Sequence, residues 1–290
     1  MNKKYAVVYN RSLESIFGNQ AHAIARELDC PCFYTDELLF LKDEEIEFEK
    51  CVYFDKDVIT GLRLELLGIR LYNNIGSIEL CDDKRRTTEL LRRDLTVPKT
   101  IPSPLLFSDD PGFRKTFVEQ AEEMLGFPLV AKLAFGSLGQ QVKLISSQAE
   151  LLNFCEKWNN QPYLLQEYIE SSKGKDVRIY VVKGQAVAAM ERYNPDDFRS
   201  NIGAGGQGTL IQPSKEFEQA AINACALLGL DFGGVDLLYR KDGTPILCEV
   251  NSNALFNELN KVCNVAIEKH IADAVRCEET NSFDFSAFNL

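Results

Sequence analysis

The segment 233–251, GGVDLLYRKDGTPILCEVN, constrains this chain more than any other stretch. Asp242-Gly243 between two apolar runs is the signal of a two-residue hairpin turn. Counting outward from such a turn pairs Lys241 with Thr244 and, further out, Asp236 with Glu249. Side chains two apart on a strand share a face, so Asn251 joins Glu249 while Cys248 and Val250 turn to the other side. Two carboxylates opposed within an otherwise apolar hairpin repel unless a cation lies between them. Three oxygen donors, Asp236, Glu249 and Asn251, with no His or Cys suit a hard cation such as Mg²⁺. The bland alternative is a solvated hairpin face, and the flanking runs VDLL and LCEVN speak against it.

The rest of the chain is an ordinary globular sequence. Its 290 residues correspond to about two domains at roughly 150 residues each. Apolar residues make up 45% and charged residues 26%, enough to bury a large core. The net charge of −11 repels phosphate polymers and anionic membranes, so neither nucleic acid nor a membrane is an expected partner, and an anionic ligand must be met by local cations. Nine scattered cysteines never form a C-x-x-C pair, which argues against a disulfide framework or zinc knuckle and for a reducing, cytoplasmic location. No apolar run reaches the ~18 residues of a membrane span. A homo-oligomer is left open.

Three lobes are expected. Residues 1–96 read as a small α/β domain: strands at 4–10, 51–55 and 68–73, a helix at 18–29, and a charged helix from Ile78 to Leu95. The proline-rich VPKTIPSP then marks a boundary. Residues 97–175 read as a compact α+β lobe with strands 128–135, 142–145 and 163–169, and residues 176–290 as a third lobe holding the hairpin, with a final helix ending near Arg276.

GAGGQG at 203–208 matches G-x-G-x-x-G, but no helix follows it, so a dinucleotide fold is rejected. GSLGQQ at 136–141 lacks the Lys-Ser/Thr of a P-loop; Gly136, Ser137 and Gly139 can still offer backbone N–H groups to phosphate as a flap. Lys132 interrupts the apolar run PLVAKLAF, where a lysine without a partner is costly, so an anion nearby explains it best; the alternative is an edge-strand lysine reaching water. Arg178 and Arg192 interrupt two further apolar strands, and Arg199 follows in a loop. With only His22 and His270, a Ser-His-Asp hydrolase has little support.

The order of CDDKRRTTELL (81–91), FPLVAKLAFGSLGQQV (127–142), LLQEYIESSKGKDVR (164–178), AAMERYNPDDFRSNIGAGG (188–206), LDFGGVDLL (230–238) and CEVNSN (248–253) resembles the ATP-grasp superfamily, and closely its RimK-like carboxylate–amine ligases. The resemblance implies an α/β chain of α+β lobes, an ATP-grasp fold preceded by a preATP-grasp domain. It implies ATP with Mg²⁺, or Mn²⁺ in its place. Lys84 and Lys132 match the two nucleotide-binding lysines, Gln166, Glu167, Tyr168 and Ile169 the adenine-reading hinge, and Asp176 the ribose side. Arg199, Ser200 and Asn201 match the phosphate-side loop, and Asp236, Glu249 and Asn251 the metal ligands, in agreement with the hairpin register. Arg178, Arg192, Arg199 and Asn201 are thereby the expected catalytic groups. After E-V-N, better known members continue Ser-Pro-Gly; here Ser252-Asn253-Ala254 follows, on the substrate side.

The implied reaction activates a carboxylate, of an amino acid or peptide, as an acyl phosphate that an amine then attacks, releasing ADP and phosphate. At least one of the three arginines is expected to grip the acid. A phosphotransferase that stops at phosphorylation and a nucleotide-binding regulatory protein are the alternatives.

Overall fold

The computed structural model describes residues 4–104, 110–136 and 141–277. The alternation of apolar strand runs with helical stretches in the first lobe becomes β1 (Tyr5–Tyr9), α1 (Glu14–Leu28), β2 (Cys32–Tyr34), α2 (Thr35–Leu38), β3 (Lys50–Phe54), α3 (Val58–Leu66) and β4 (Arg70–Tyr72). The four strands form one parallel sheet in the order β2-β1-β3-β4. The strands read as continuous apolar runs because helices cover both faces of such a sheet.

The charged helix expected from Ile78 to Leu95 is two helices, α4 (Ile75–Asp82) and α5 (Lys84–Leu91). Asp83 divides them: its backbone is extended and its carboxylate accepts from Arg85 N at 2.9 Å, an N-cap that starts a new helix. The break places Lys84 at the first position of α5, with its N–H bonded to the Ala134 carbonyl of the next lobe. Both helices pack with the third lobe, where Cys81 and Leu91 join the core built on Val177, Val235 and Leu247.

The second lobe runs β5 (Thr100–Pro102), α6 (Pro111–Leu125), β6 (Leu129–Leu133), β7 (Val142–Ile145), α7 (Gln148–Lys157) and β8 (Tyr163–Glu167). Its antiparallel sheet has the order β5-β8-β6-β7, so Lys132 lies on an interior strand and the edge-strand alternative falls. The third lobe contains β9 (Lys175–Val182), β10 (Gln185–Tyr193), β11 (Gln207–Leu210), α8 (Lys215–Leu227), β12 (Phe232–Tyr239), β13 (Pro245–Asn251), α9 (Asn257–Cys263) and α10 (Ile267–Arg276). Its sheet order is β11-β10-β9-β12-β13. The single final helix of the sequence reading is split at Asn264, whose φ of 50° ends α9.

The hairpin differs from its expected form in two places that cancel. Arg240 pairs with Thr244 across a three-residue loop, with Gly243 at φ 84°, so the strands leave the turn one residue out of the expected register. A bulge then falls between the Asp236–Glu249 and Leu237–Leu247 pairs, leaving Cys248 as the extra residue. Asp236 therefore faces Glu249 as expected, and Cys248, expected on the opposite face, lines the same cleft as Glu249.

First and third lobes share an aromatic core. The Phe54 and Phe232 rings stack 5.6 Å apart, and Tyr180 meets Phe256 edge-on at 5.7 Å. Such pairs contribute about 0.5–1.5 kcal/mol each beyond their burial. The buried Asn73 uses its whole amide there: Nδ2 donates to the Phe232 and Ser252 carbonyls, and Oδ1 accepts from Asp231 N and Phe232 N.

Gly174 immediately precedes β9 at φ 65°, with its carbonyl accepting from Asn194 N and its N–H donating to Phe198 O. A Cβ there would run into the Asn194 and Asp197 carbonyl oxygens. Gly174→Ala is therefore expected to destabilise the protein by about 2 kcal/mol or more and to displace the loop that carries Arg199. Thermal melting and a nucleotide titration check both parts; wild-type values in both refute the prediction.

Candidate active site

A cleft lies between the second-lobe sheet and the third-lobe sheet, with Lys132 from β6, Gln166 and Glu167 from β8, Asp176 from β9, Arg192 from β10, Asp236 from β12 and Glu249 from β13 among its walls. Strand alternation places Val130 beside Lys132 and Leu238 beside Asp236, so each sheet contributes an apolar residue next to a charged one. Opposed apolar surfaces with convergent polar groups suit a flat heterocycle carrying charged substituents.

On the second-lobe side, Lys132 Nζ donates to Gln166 Oε1 at 2.8 Å and stands 3.9 Å from Cys248 Sγ. Among the described residues no carboxylate lies within ion-pair distance of this ammonium, although the residue is only 9% exposed. Gln166 Nε2 donates to Thr100 Oγ1 at 3.0 Å, which fixes the amide with its oxygen toward Lys132. Glu167 accepts from Lys99 N at 2.8 Å, and β8 ends there, leaving Tyr168 and Ile169 outside the ladder along the cleft edge. Lys84 Nζ donates to the Gly136 carbonyl at 2.7 Å and pairs with Glu249 Oε1 at 3.4 Å. Ser137 and Gly139 lie outside the described residues.

On the third-lobe side, four charged residues interlock. Arg178 donates through Nε to Asp236 Oδ1 and through Nη2 to Asp236 Oδ2, both at 2.7 Å. Arg192 donates to Asp176 Oδ1 and Oδ2 at 2.8 and 2.5 Å, and its Nη2 reaches Asp236 Oδ2 at 2.9 Å. Burial alone pushes the Asp236 carboxyl up, but the attraction of Arg178 and Arg192 outweighs it and holds the group well below the usual carboxylate range. Burial lowers and the two aspartates raise the Arg192 guanidinium, and the aspartates win. Cys248, by contrast, is pushed up to about 11 by desolvation and stays a thiol at neutral pH.

The expected catalytic residues therefore have different surroundings. Arg192 is 2% exposed and held by two aspartates, which differs from a guanidinium open to a substrate acid. Arg178 is held by Asp236 in the same way. Arg199 lines the cleft with Nε and Nη2 on Asp197, beside buried Ser200 and Asn201, whose carbonyl accepts from Gly206 N. Asn251 closes β13 opposite Gly234 and is not among the residues lining the cleft. Thr100, Val130, Leu238 and the side chain of Gln166 carry no site reading from the sequence, and Cys248 is read there only as facing away. The i, i+2 spacing from Lys132 and Asp236 signals Val130 and Leu238, whereas the bulge that admits Cys248 has no local signature.

Residues 81–275 match the family model of the RimK-like ATP-grasp domain. Beta-citrylglutamate synthase B of Danio rerio is 34% identical over 227 residues, covering 77% of this chain and 55% of that protein. N-acetylaspartylglutamate synthase A of Homo sapiens is 35% identical over 225 residues, covering 77% and 56%. The chain thus spans about half the length of these relatives. Among solved structures, D-alanine–D-alanine ligase from Bacillus anthracis superposes with a TM-score of 0.73 at 19% identity, covering 94% of this chain and 95% of that one, and so shows the same fold. With a match over this length of the chain and a fold and cleft to accommodate it, the chain belongs to the RimK-like ATP-grasp family, whose ligases use ATP with Mg²⁺ to join a carboxylate to an amine.

Proposed function

We propose that the chain is an ATP-dependent carboxylate–amine ligase that activates an amino-acid or peptide carboxylate as an acyl phosphate and transfers it to an amine. One observation carries the reading: the same cleft holds the Lys132 ammonium, without a carboxylate partner among the described residues, and a pair of facing carboxylates, Asp236 and Glu249. A metal-bound nucleotide meets both demands, placing phosphate at the ammonium and cation at the carboxylates.

The donor set fits Mg²⁺. Asp236 Oδ1 accepts one N–H and so keeps a lone pair, while Glu249 is partly open to the cleft. Both are hard oxygen donors, and Mg²⁺ usually completes its shell with phosphate and water. Mn²⁺ has compatible ligand preferences. When bound, the ion neutralises negative charge developing on the phosphates. The chain's own groups then do the rest. Lys132 and Lys84 hold phosphate oxygens, Val130 and Leu238 bracket the base, and the Tyr168–Ile169 edge reads it. Asp236, ionised at neutral pH, and Glu249 fix the ion. Arg199, Ser200 and Asn201 stand on the transferred-phosphate side, and water has to be kept from the cleft because it would hydrolyse an acyl phosphate. No protein nucleophile is required.

Both relatives carry glutamate in the names of their products, so L-glutamate is the first amine to test. The Ser252-Asn253-Ala254 departure widens the panel to other amino acids and short peptides. The nine free cysteines support a reducing, cytoplasmic setting. Pairs of acids and amines are screened for ADP release, with mass spectrometry of the products. The expected result is an amide formed in step with ADP. A phosphorylated acid that accumulates without amide supports the phosphotransferase instead, and nucleotide binding with no turnover on any pair supports the regulatory reading.

A further inference from the structure

We propose that Arg192 is a positioning residue for the metal-side carboxylate: a buried bracket between Asp176 and Asp236 that selects which oxygen of Asp236 is left to a cation. The inference rests on the ligase reading for the identity of that cation.

The bracket follows from the sheet. Arg192 on β10 is the cross-strand partner of Asp176 on β9, and Arg178 on β9 is the partner of Asp236 on β12. Arg178 and Asp176 share a face, being two apart on one strand, so charges alternate across three adjacent strands. A guanidinium on β10 is long enough to pass over β9 and reach the diagonal neighbour, and the 2.9 Å contact from Arg192 Nη2 to Asp236 Oδ2 does so. All four residues sit in the sheet interior, with Arg192, Asp176 and Asp236 buried.

Two consequences follow. First, the four formal charges cancel, so this patch has no net positive charge to attract a substrate carboxylate. An acid seated on Arg192 would have to displace Asp176 or Asp236, leaving a buried anion unpaired. Second, the contact makes the two oxygens of Asp236 unequal. Oδ2 accepts from Arg178 Nη2 and stands 2.9 Å from Arg192 Nη2, so two guanidinium groups bear on it, whereas Oδ1 accepts from Arg178 Nε. Without Arg192 the carboxylate would be held symmetrically by one guanidinium. With it, Oδ1 is the oxygen available to a cation. A lysine at 192 keeps the charge but cannot form the parallel pair to Asp176 and reach Asp236 as well.

Arg192→Lys tests the proposal by binding as well as turnover. ADP is titrated calorimetrically into the whole chain without metal and at a series of Mg²⁺ concentrations. Groups that orient a metal ligand typically shift metal affinity by 10–100-fold, so the half-saturating Mg²⁺ concentration is expected to rise about tenfold while metal-free ADP affinity stays within about twofold. The KM for the acid, measured at saturating Mg²⁺, is expected to be unchanged. An unchanged Mg²⁺ requirement together with a raised KM for the acid would overturn the bracket and make Arg192 a substrate contact.

Should Arg192→Lys fail to fold, Asp176→Asn keeps the cation and the volume while removing its anchor. The same rise in half-saturating Mg²⁺ is expected; a wild-type Mg²⁺ requirement refutes the bracket. Any ribose contact of Asp176 would appear separately, as lost metal-free ADP affinity. The ligase reading stands or falls on amide formation by the wild-type chain, so the two failures are distinguishable.

Discussion

Glu249→Gln is expected to turn over about 10³-fold more slowly than the wild type, a loss on the order of 4 kcal/mol of transition-state stabilisation. The substitution keeps the side-chain volume and one oxygen, so the hairpin is retained and the melting temperature stays close to that of the parent. What it removes is one of the two facing charges. Asp236 is already shared between two guanidinium groups, while among the described residues Glu249 has only Lys84 Nζ at 3.4 Å, so Glu249 is the carboxylate with more charge to offer a cation. Lys84 retains its 2.7 Å bond to the Gly136 carbonyl in the variant, which keeps α5 in place. Steady-state ADP release and a Mg²⁺ titration measure the effect. Turnover within tenfold of the wild type would take Glu249 out of the metal site.

The facing of Asp236 and Glu249 was legible in the sequence, but through two compensating local features. Asp-Gly signals a turn without fixing its length, since glycine with positive φ serves a two-residue turn and a three-residue loop equally well. The one-residue slip should have put Glu249 out of register with Asp236; the bulge at Cys248 restores the pairing. A bulge depends on tertiary packing on both faces, which no periodicity encodes. The break at Asp83 was missed for a related reason. KRRTTELL continues a helical pattern from the preceding segment, and an aspartate within it reads equally as a helix residue or a cap.

Charge in an apolar strand was the most informative signal, and it has two outcomes here. Lys132, Arg178 and Arg192 each interrupt an apolar run, and each requires a nearby negative group. For the arginines that group is protein: Asp236 and Asp176 on adjacent strands of the same sheet. For Lys132 the neighbours are a neutral amide and a thiol. Sequence reports that a counter-charge is needed; only the strand order β10-β9-β12 says which cations already have one.

Lys132→Met is accordingly expected to move binding and stability in opposite directions. In the empty cleft, the ammonium gives up most of its hydration for one hydrogen bond to Gln166 Oε1, with no carboxylate among the described residues to offset the loss. Methionine preserves the length and apolar contacts of the stem without the charge. Removing an uncompensated buried cation stabilises the empty protein by about 1 kcal/mol, which corresponds to roughly 2–4 °C in melting temperature for a chain of this size. With nucleotide the balance reverses, because the charged hydrogen bond to phosphate is lost. At about 3 kcal/mol, that loss weakens ATP binding roughly 100-fold. Gln166 Oε1, left without its donor, opens to the cleft and is met by water, so it does not cancel the gain in the empty state. Thermal melting with and without saturating ADP–Mg²⁺ reads both effects in one experiment: the variant melts above the wild type when empty and below it when loaded. A variant that melted lower in both states would mean that Lys132 supports the sheet itself, and unchanged ATP affinity would remove it from the phosphate site.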